Sequence, residues 1–139
     1  MRTRTRLYLP ALTLTLLALA LSGCGDSAIF GDRFTRYEGN EGDGEAAYTF
    51  RTMTGRDAWS FEAEAGQPVT LRYALTVEKG TLTVAIRDPE GLVVWLQTFD
   101  RNAEGDTGAL ALEQSGTYEV SVVGVNAGGG FTLAWEVGE

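Results

Sequence analysis

Histidine is absent from this chain, and cysteine occurs once, at position 24. Without histidine there is no Ser/His or Cys/His pair to raise a nucleophile. A lone cysteine closes no disulfide and builds no thiolate cage for zinc. Downstream of residue 23 no stretch repeats its apolar residues with the helical period of 3.6, so a helical bundle is excluded. Basic residues are few. Arg2, Arg4 and Arg6 belong to the N-terminus, and residues 24–139 hold 8 Lys and Arg against 19 Asp and Glu, a net charge of -11. Such a surface repels phosphate backbones and carries no basic stripe with interleaved aromatics, which excludes nucleic acid as a partner. A pair of carboxylates is the one catalytic scheme the composition leaves open. No motif marks such a pair, and the expectation is a protein that is not an enzyme.

The N-terminus opens on alternating arginines and then runs from Leu7 to Leu21 without a charge. This is a basic segment followed by an apolar one of secretory length, too short for the roughly 20 apolar residues of a membrane-spanning helix. Leu21-Ser22-Gly23-Cys24 follows directly. That tetrad resembles the lipobox of bacterial lipoproteins. The resemblance implies that Leu21, Ser22 and Gly23 are read by the signal peptidase, that Cys24 receives a diacylglyceryl group, and that residues 1–23 are removed. Two acyl chains meet the requirement for stable anchoring, which one chain does not. The expected location is the cytoplasmic or the outer membrane, facing away from the cytoplasm. Gly25 rather than Asp follows the cysteine, so the retention signal of some enteric bacteria is not matched. Apart from the lipid, no cofactor is implied.

Residues 24–45 are rich in Gly, Asp, Glu and Asn, with scattered Ile29, Phe30, Phe34 and Tyr37. Their composition predicts a flexible tether, with Ile29 to Tyr37 docking on the domain as the alternative. From Ala46 the apolar period becomes two, the mark of half-buried strands. Tyr48 and Phe50 alternate with Thr49 and Arg51. Trp59, Phe61 and Ala63 follow, then Val69, Leu71, Tyr73 and Leu75 after the turn Ala65-Gly66-Gln67-Pro68. Glu78-Lys79-Gly80 is read as a turn, as are Arg87-Asp88-Pro89-Glu90-Gly91 and Asn126 to Gly130. Between them lie Leu82 to Ile86, the more continuous run Leu92 to Phe99, Ala109 to Leu112, Tyr118 to Val122 and Phe131 to Val137. About eight strands at this spacing predict an all-β fold for residues 46–139, a single antiparallel β-sandwich of jelly-roll-like form.

The order Trp59-Ser60-Phe61, Ala65-Gly66-Gln67-Pro68-Val69, Asp88-Pro89-Glu90-Gly91, Ser115-Gly116-Thr117-Tyr118-Glu119-Val120 and Gly130-Phe131-Thr132-Leu133 resembles the bacterial pre-peptidase C-terminal type of β-sandwich over about residues 46–137. It is similar as well to small bacterial lipoproteins that carry such a domain alone. The resemblance implies an accessory domain with binding or secretion roles. Its motifs are turn and core positions, which specify fold better than function.

Two local signals point to ligands. Asp100, Asn102, Glu104 and Asp106 place oxygen-bearing side chains at positions 1, 3, 5 and 7 of a loop with Gly105 at position 6, the opening of a calcium loop. Position 12, where that loop needs a bidentate Glu, is Ala111, and a hairpin turn is the plainer reading. Trp59 and Trp135 fall in phase with core residues. Trp95 does not, because Val93, Val94, Trp95 and Leu96 are all apolar, which makes Trp95 the candidate exposed contact for a partner. The functional expectation is a non-catalytic binding module of the cell envelope, with an envelope protein or a cell-wall glycan as its partner. A row of exposed aromatic rings would favour glycan; an apolar patch with a polar rim would favour protein.

Overall fold

The computed structural model describes residues 32–139. The signal segment, Cys24 and residues 24–31 of the expected tether lie outside them. The fold is all-β and antiparallel, with no helix among the described residues. Three strands carry it: β3 (Glu45–Ala63), β4 (Pro68–Arg87) and β8 (Gly116–Val137). Five short ones accompany them: β1 (Arg33–Thr35), β2 (Glu38–Gly42), β5 (Val93–Phe99), β6 (Ala103–Asp106) and β7 (Leu110–Ala111).

The long strands have 19, 20 and 22 residues, three to four times the usual strand, and each is bent in the middle. Register shifts interrupt β3 between Phe50 and Gly55 and β4 between Val77 and Thr81. Such bulges bend a strand and let one sheet fold over on itself. The result is a sandwich whose two layers share their three central strands. In the first layer residues 45–50, 129–137 and 68–77 lie side by side, flanked by β2 and by β6 and β7. In the second, residues 55–63, 116–124 and 81–87 are flanked by β5. β8 sits between β3 and β4 throughout.

The segments Glu78-Lys79-Gly80 and Asn126 to Gly130, expected as turns, are these bends and do not reverse the chain. Turn chemistry and corner chemistry use the same residues, since both need left-handed backbone. Gly80 has φ +67° and Asn126 φ +48°, and a Cβ on Gly80 would fall 2.3 Å from the carbonyl oxygens of Val125 and Asn126. The eight expected strand segments are therefore present, six of them fused in pairs. The turn at Asp88 is as expected: its Oδ1 accepts from the amides of Glu90 and Leu92 at 2.9 Å, and Gly91 N–H donates to its carbonyl.

The alternation places Leu71, Leu75, Phe131, Leu133 and Trp135 inward from one layer, and Trp59, Leu82, Val84, Ile86, Val120 and Val122 from the other, all buried. The interior is rich in rings: Trp59 meets Phe131 at 5.8 Å and Trp135 at 6.2 Å. Tyr118 is buried, and its hydroxyl donates to the carbonyl of Gln114 at 2.7 Å, tying the entry of β8 to the chain before it.

Residues 33–42 correct the expected tether. β1 pairs with Thr52–Thr54 and β2 with residues 45–49 of β3. Tyr37 stacks on Tyr48 with ring centroids 4.5 Å apart and meets Phe34 at 4.9 Å. Its hydroxyl donates to Asp57 at 2.6 Å. The segment is thus a strap along one side of the sandwich. Its aromatics outweigh the Gly and acid content that suggested a tether.

Candidate functional site

The calcium reading of Asp100 to Asp106 fails on geometry. From Ala103 the segment is extended and pairs with β4, Glu104 opposite Ala74 and Asp106 opposite Arg72. Asn102 Oδ1 accepts from the amide of Val77 at 2.9 Å, Asp106 Oδ1 from that of Gly108 at 2.7 Å. Asp100 turns to Arg101, whose guanidinium at 3.1 Å holds the Asp100 carboxyl below its usual range. Extended backbone spreads alternate side chains along a face, whereas a calcium loop must curl them round one point. No group of three or more Asp, Glu, His or Cys converges among the described residues.

Trp95 is not an exposed contact. It pairs with Ile86, whose side chain is fully buried, so the ring points inward; it is half-buried and stacks on Tyr73 at 5.9 Å. The excess apolar residues of that run are its neighbours. Leu92 is 61% exposed, Val93 52% and Leu96 49%, gathered at one end of β5. A bulge at Ile86 and Arg87 explains the broken alternation: two residues, Val93 and Val94, follow where one would fit. Arg87 pairs with Val93, Thr98 lies two residues beyond Leu96 on the same strand, and Asp88 and Glu90 form the turn that leads into Leu92, so polar residues border the apolar patch. Trp59 and Trp135 lie in the core as expected, at 9% and 8% exposure.

A second surface has no signature in the local sequence. The outer face of the first layer is a trough of about 1260 Å³. Its floor is made of short side chains that pair across β3, β8 and β4: Ala47, Thr132 and Ala74 in one row, Thr49, Gly130 and Thr76 in the next. Longer ones, Glu38 and Asn40 from β2 and Asn102 and Glu104 by β6, form its walls. Period two shows which residues face outward, but not that short ones would align into a hollow.

Where the strap meets the sandwich, Glu41 accepts from the indole N–H of Trp59 and from the hydroxyl of Tyr48, the latter at 3.1 Å. Burial and the hydrogen bond to Asp57 push the Tyr37 phenol well above its ordinary range. Burial and the bond to Glu41 raise that of Tyr48. Both phenols are held neutral as donors to carboxylates.

No family model matches the sequence, and no curated protein does. Among solved structures the chain is similar to a carbohydrate-binding module described under "CBM4 structure and function", with 11% identity, TM-score 0.48, and coverage of 81% of this chain and 82% of the other. It is similar to PliG of Aeromonas hydrophila, a periplasmic inhibitor of g-type lysozyme, with 15% identity, TM-score 0.45, and coverage of 74% and 87%. A CBM61 module in complex with β-1,4-galactotriose has 14% identity, TM-score 0.44, and coverage of 73% and 86%. At these identities and TM-scores the likeness carries no ligand, activity or partner to this chain.

Proposed function

We propose that the chain is an exported lipoprotein, anchored in a membrane through acylated Cys24, whose sandwich serves the cell envelope as a non-catalytic module that binds another protein. The charge-free run Leu7 to Leu21 and the tetrad Leu21-Ser22-Gly23-Cys24 support the anchor. The observation that carries the protein partner is the patch at β5. Leu92, Val93 and Leu96 stand exposed within a polar rim, while the three tryptophan rings lie in or against the core between the layers. Exposed aliphatic groups at one place are what an interface buries, and sugar rings stack on exposed aromatics instead.

A glycan partner is the second reading, favoured by the trough. Its threonine floor and its amide and carboxylate walls suit a polyhydroxylated chain. The experiment is cross-linking in intact cells producing the full-length protein, with co-sedimentation on purified cell wall alongside. One recurring envelope protein attached to residues 32–139 supports the first reading, and wall binding without a protein adduct supports the second. For the anchor, Cys24→Ser is expected to abolish lipid labelling and leave the protein unprocessed or released. Undiminished labelling would refute it.

A further inference from the structure

Edge strands present unpaired amides and carbonyls, and proteins that keep them free of other chains do so with charge, shortness or cover. The edges of this sandwich follow that rule except at one place. β2 carries Glu38 and Glu41, and β6 carries Glu104 and Asp106. The second half of β3 carries Arg56, Asp57 and Glu62 and is held by the strap through Tyr37 and Glu41. β5, Val-Val-Trp-Leu-Gln-Thr-Phe, has no charge and no proline in seven residues, and among the described residues only β4 pairs with it. Leu92, Val93 and Leu96 stand exposed along that same edge.

We infer that β5 is a docking edge for strand addition: an extended segment of another protein, uncharged over five to seven residues and bearing Lys or Arg at the end that meets Asp88 and Glu90, pairs with Val93–Phe99 and continues the second layer. This rests on the reading of the domain as an interaction module and names how it engages its partner. Backbone pairing gives such a complex its affinity, and alternate side chains meeting Leu96 and Thr98 give it selectivity. The basic end follows from charge. Asp88 and Glu90 precede the strand with one basic residue, Arg87, beside them, while Asp100 at the other end is already paired with Arg101 at 3.1 Å. The described residues hold 8 basic and 18 acidic side chains, Asp26 and the three N-terminal arginines being set aside.

The same charges disfavour a second copy of this chain. Pairing of β5 with the β5 of a second copy would bring together two bodies of net charge -10.

The test places the photo-reactive residue p-benzoylphenylalanine at Leu96, at Thr98 and, on the trough, at Thr132 of the full-length chain in producing cells. Each adduct is then mapped by mass spectrometry. The expected result is that Leu96 and Thr98 attach to one segment of one other protein, with the attachment point moving by two residues between them. A basic residue should stand at the end of that segment nearest Asp88 and Glu90. With the probe at Thr98, V93K/L96K should lower capture by about tenfold or more, as two lysines at a desolvated edge would, while circular dichroism shows the protein still folded. Adducts scattered without register, an acid-flanked segment, attachment to a second copy or to this chain's own N-terminal residues would each overturn strand addition. Capture from Thr132 but not from β5 would overturn it and leave the interaction module standing. No protein adduct from any position would sink both.

Discussion

Replacing Tyr37 tests whether residues 33–42 belong to the folded domain. Tyr37→Phe removes only the hydroxyl that donates to Asp57 at 2.6 Å. A hydrogen bond to a charged acceptor is worth about 1.5–3 kcal/mol. Both partners are half-exposed, so water replaces part of it and a loss of about 1 kcal/mol is expected. Tyr37→Ala also deletes the ring that stacks on Tyr48 at 4.5 Å and 13° and meets Phe50 at 5.9 Å. Such stacking contributes about 0.5–1.5 kcal/mol, and the half-buried ring about 1–1.5 kcal/mol through lost burial, bringing the total to about 3 kcal/mol. Urea unfolding followed by tryptophan fluorescence measures both, with Trp59 reporting directly because its indole donates to Glu41 of the strap. If the two variants lie within about 0.5 kcal/mol of the parent, surface-level change, the strap is not docked and the reasoning is wrong. The pH dependence gives a second arm. The Tyr37 phenol is raised in the folded state, so the folded protein keeps a proton that the unfolded chain gives up near pH 10. The stability is complete below pH 10 and declines as pH rises beyond it. Tyr37→Phe should show a shallower alkaline decline, and Tyr48, shifted in the same direction, should account for part of what remains.

Leu133→Ala empties a fully buried site on the central strand, between Ala46 and Tyr73, and should cost about 3 kcal/mol in the same assay. Gly80→Ala forces a Cβ against two carbonyl oxygens at 2.3 Å, whereas Gly66→Ala, also at positive φ, meets nothing within 4 Å. The first should cost at least about 2 kcal/mol and the second about 1 kcal/mol, and equal losses would argue against the corner. Asn102→Ala should cost about 1 kcal/mol through the lost bond to Val77 N–H. Calcium or chelator should leave the melting temperature unchanged, and a calcium-dependent rise would restore the loop as a metal site.

Much of the fold was legible because strand periodicity survives without knowledge of partners. Leu71, Leu133 and Trp135 turn inward where alternation placed them. Three features were not legible, each for a physical reason. Gly80 and Asn126 have the backbone of a turn, and only pairing with distant strands shows that the chain continues past them. Glu38 to Gly42 has no inward apolar set, because an edge hairpin draws its position from Tyr37, Tyr48 and Trp59 rather than from its own burial. In the run Val93 to Leu96 a bulge uncouples sequence parity from direction. The ring of Trp95 is therefore inside and Leu96 beside it outside. The trough depends on side-chain size across three strands that are far apart in sequence, which no local window contains.

The position of β8 has a consequence for how the molecule comes to exist. β3 and β4 follow one another in the chain, yet neither pairs with the other; each pairs along almost its whole length with β8. Until residues 116–137 are available, β3 has only β1 and β2 to pair with and β4 only β5, β6 and β7, so the two halves of the sheet stay unjoined. A nascent or threading chain is thus kept open by its own order of assembly, which suits a protein proposed to cross a membrane before it folds. The 22 residues of β8 close both layers at once.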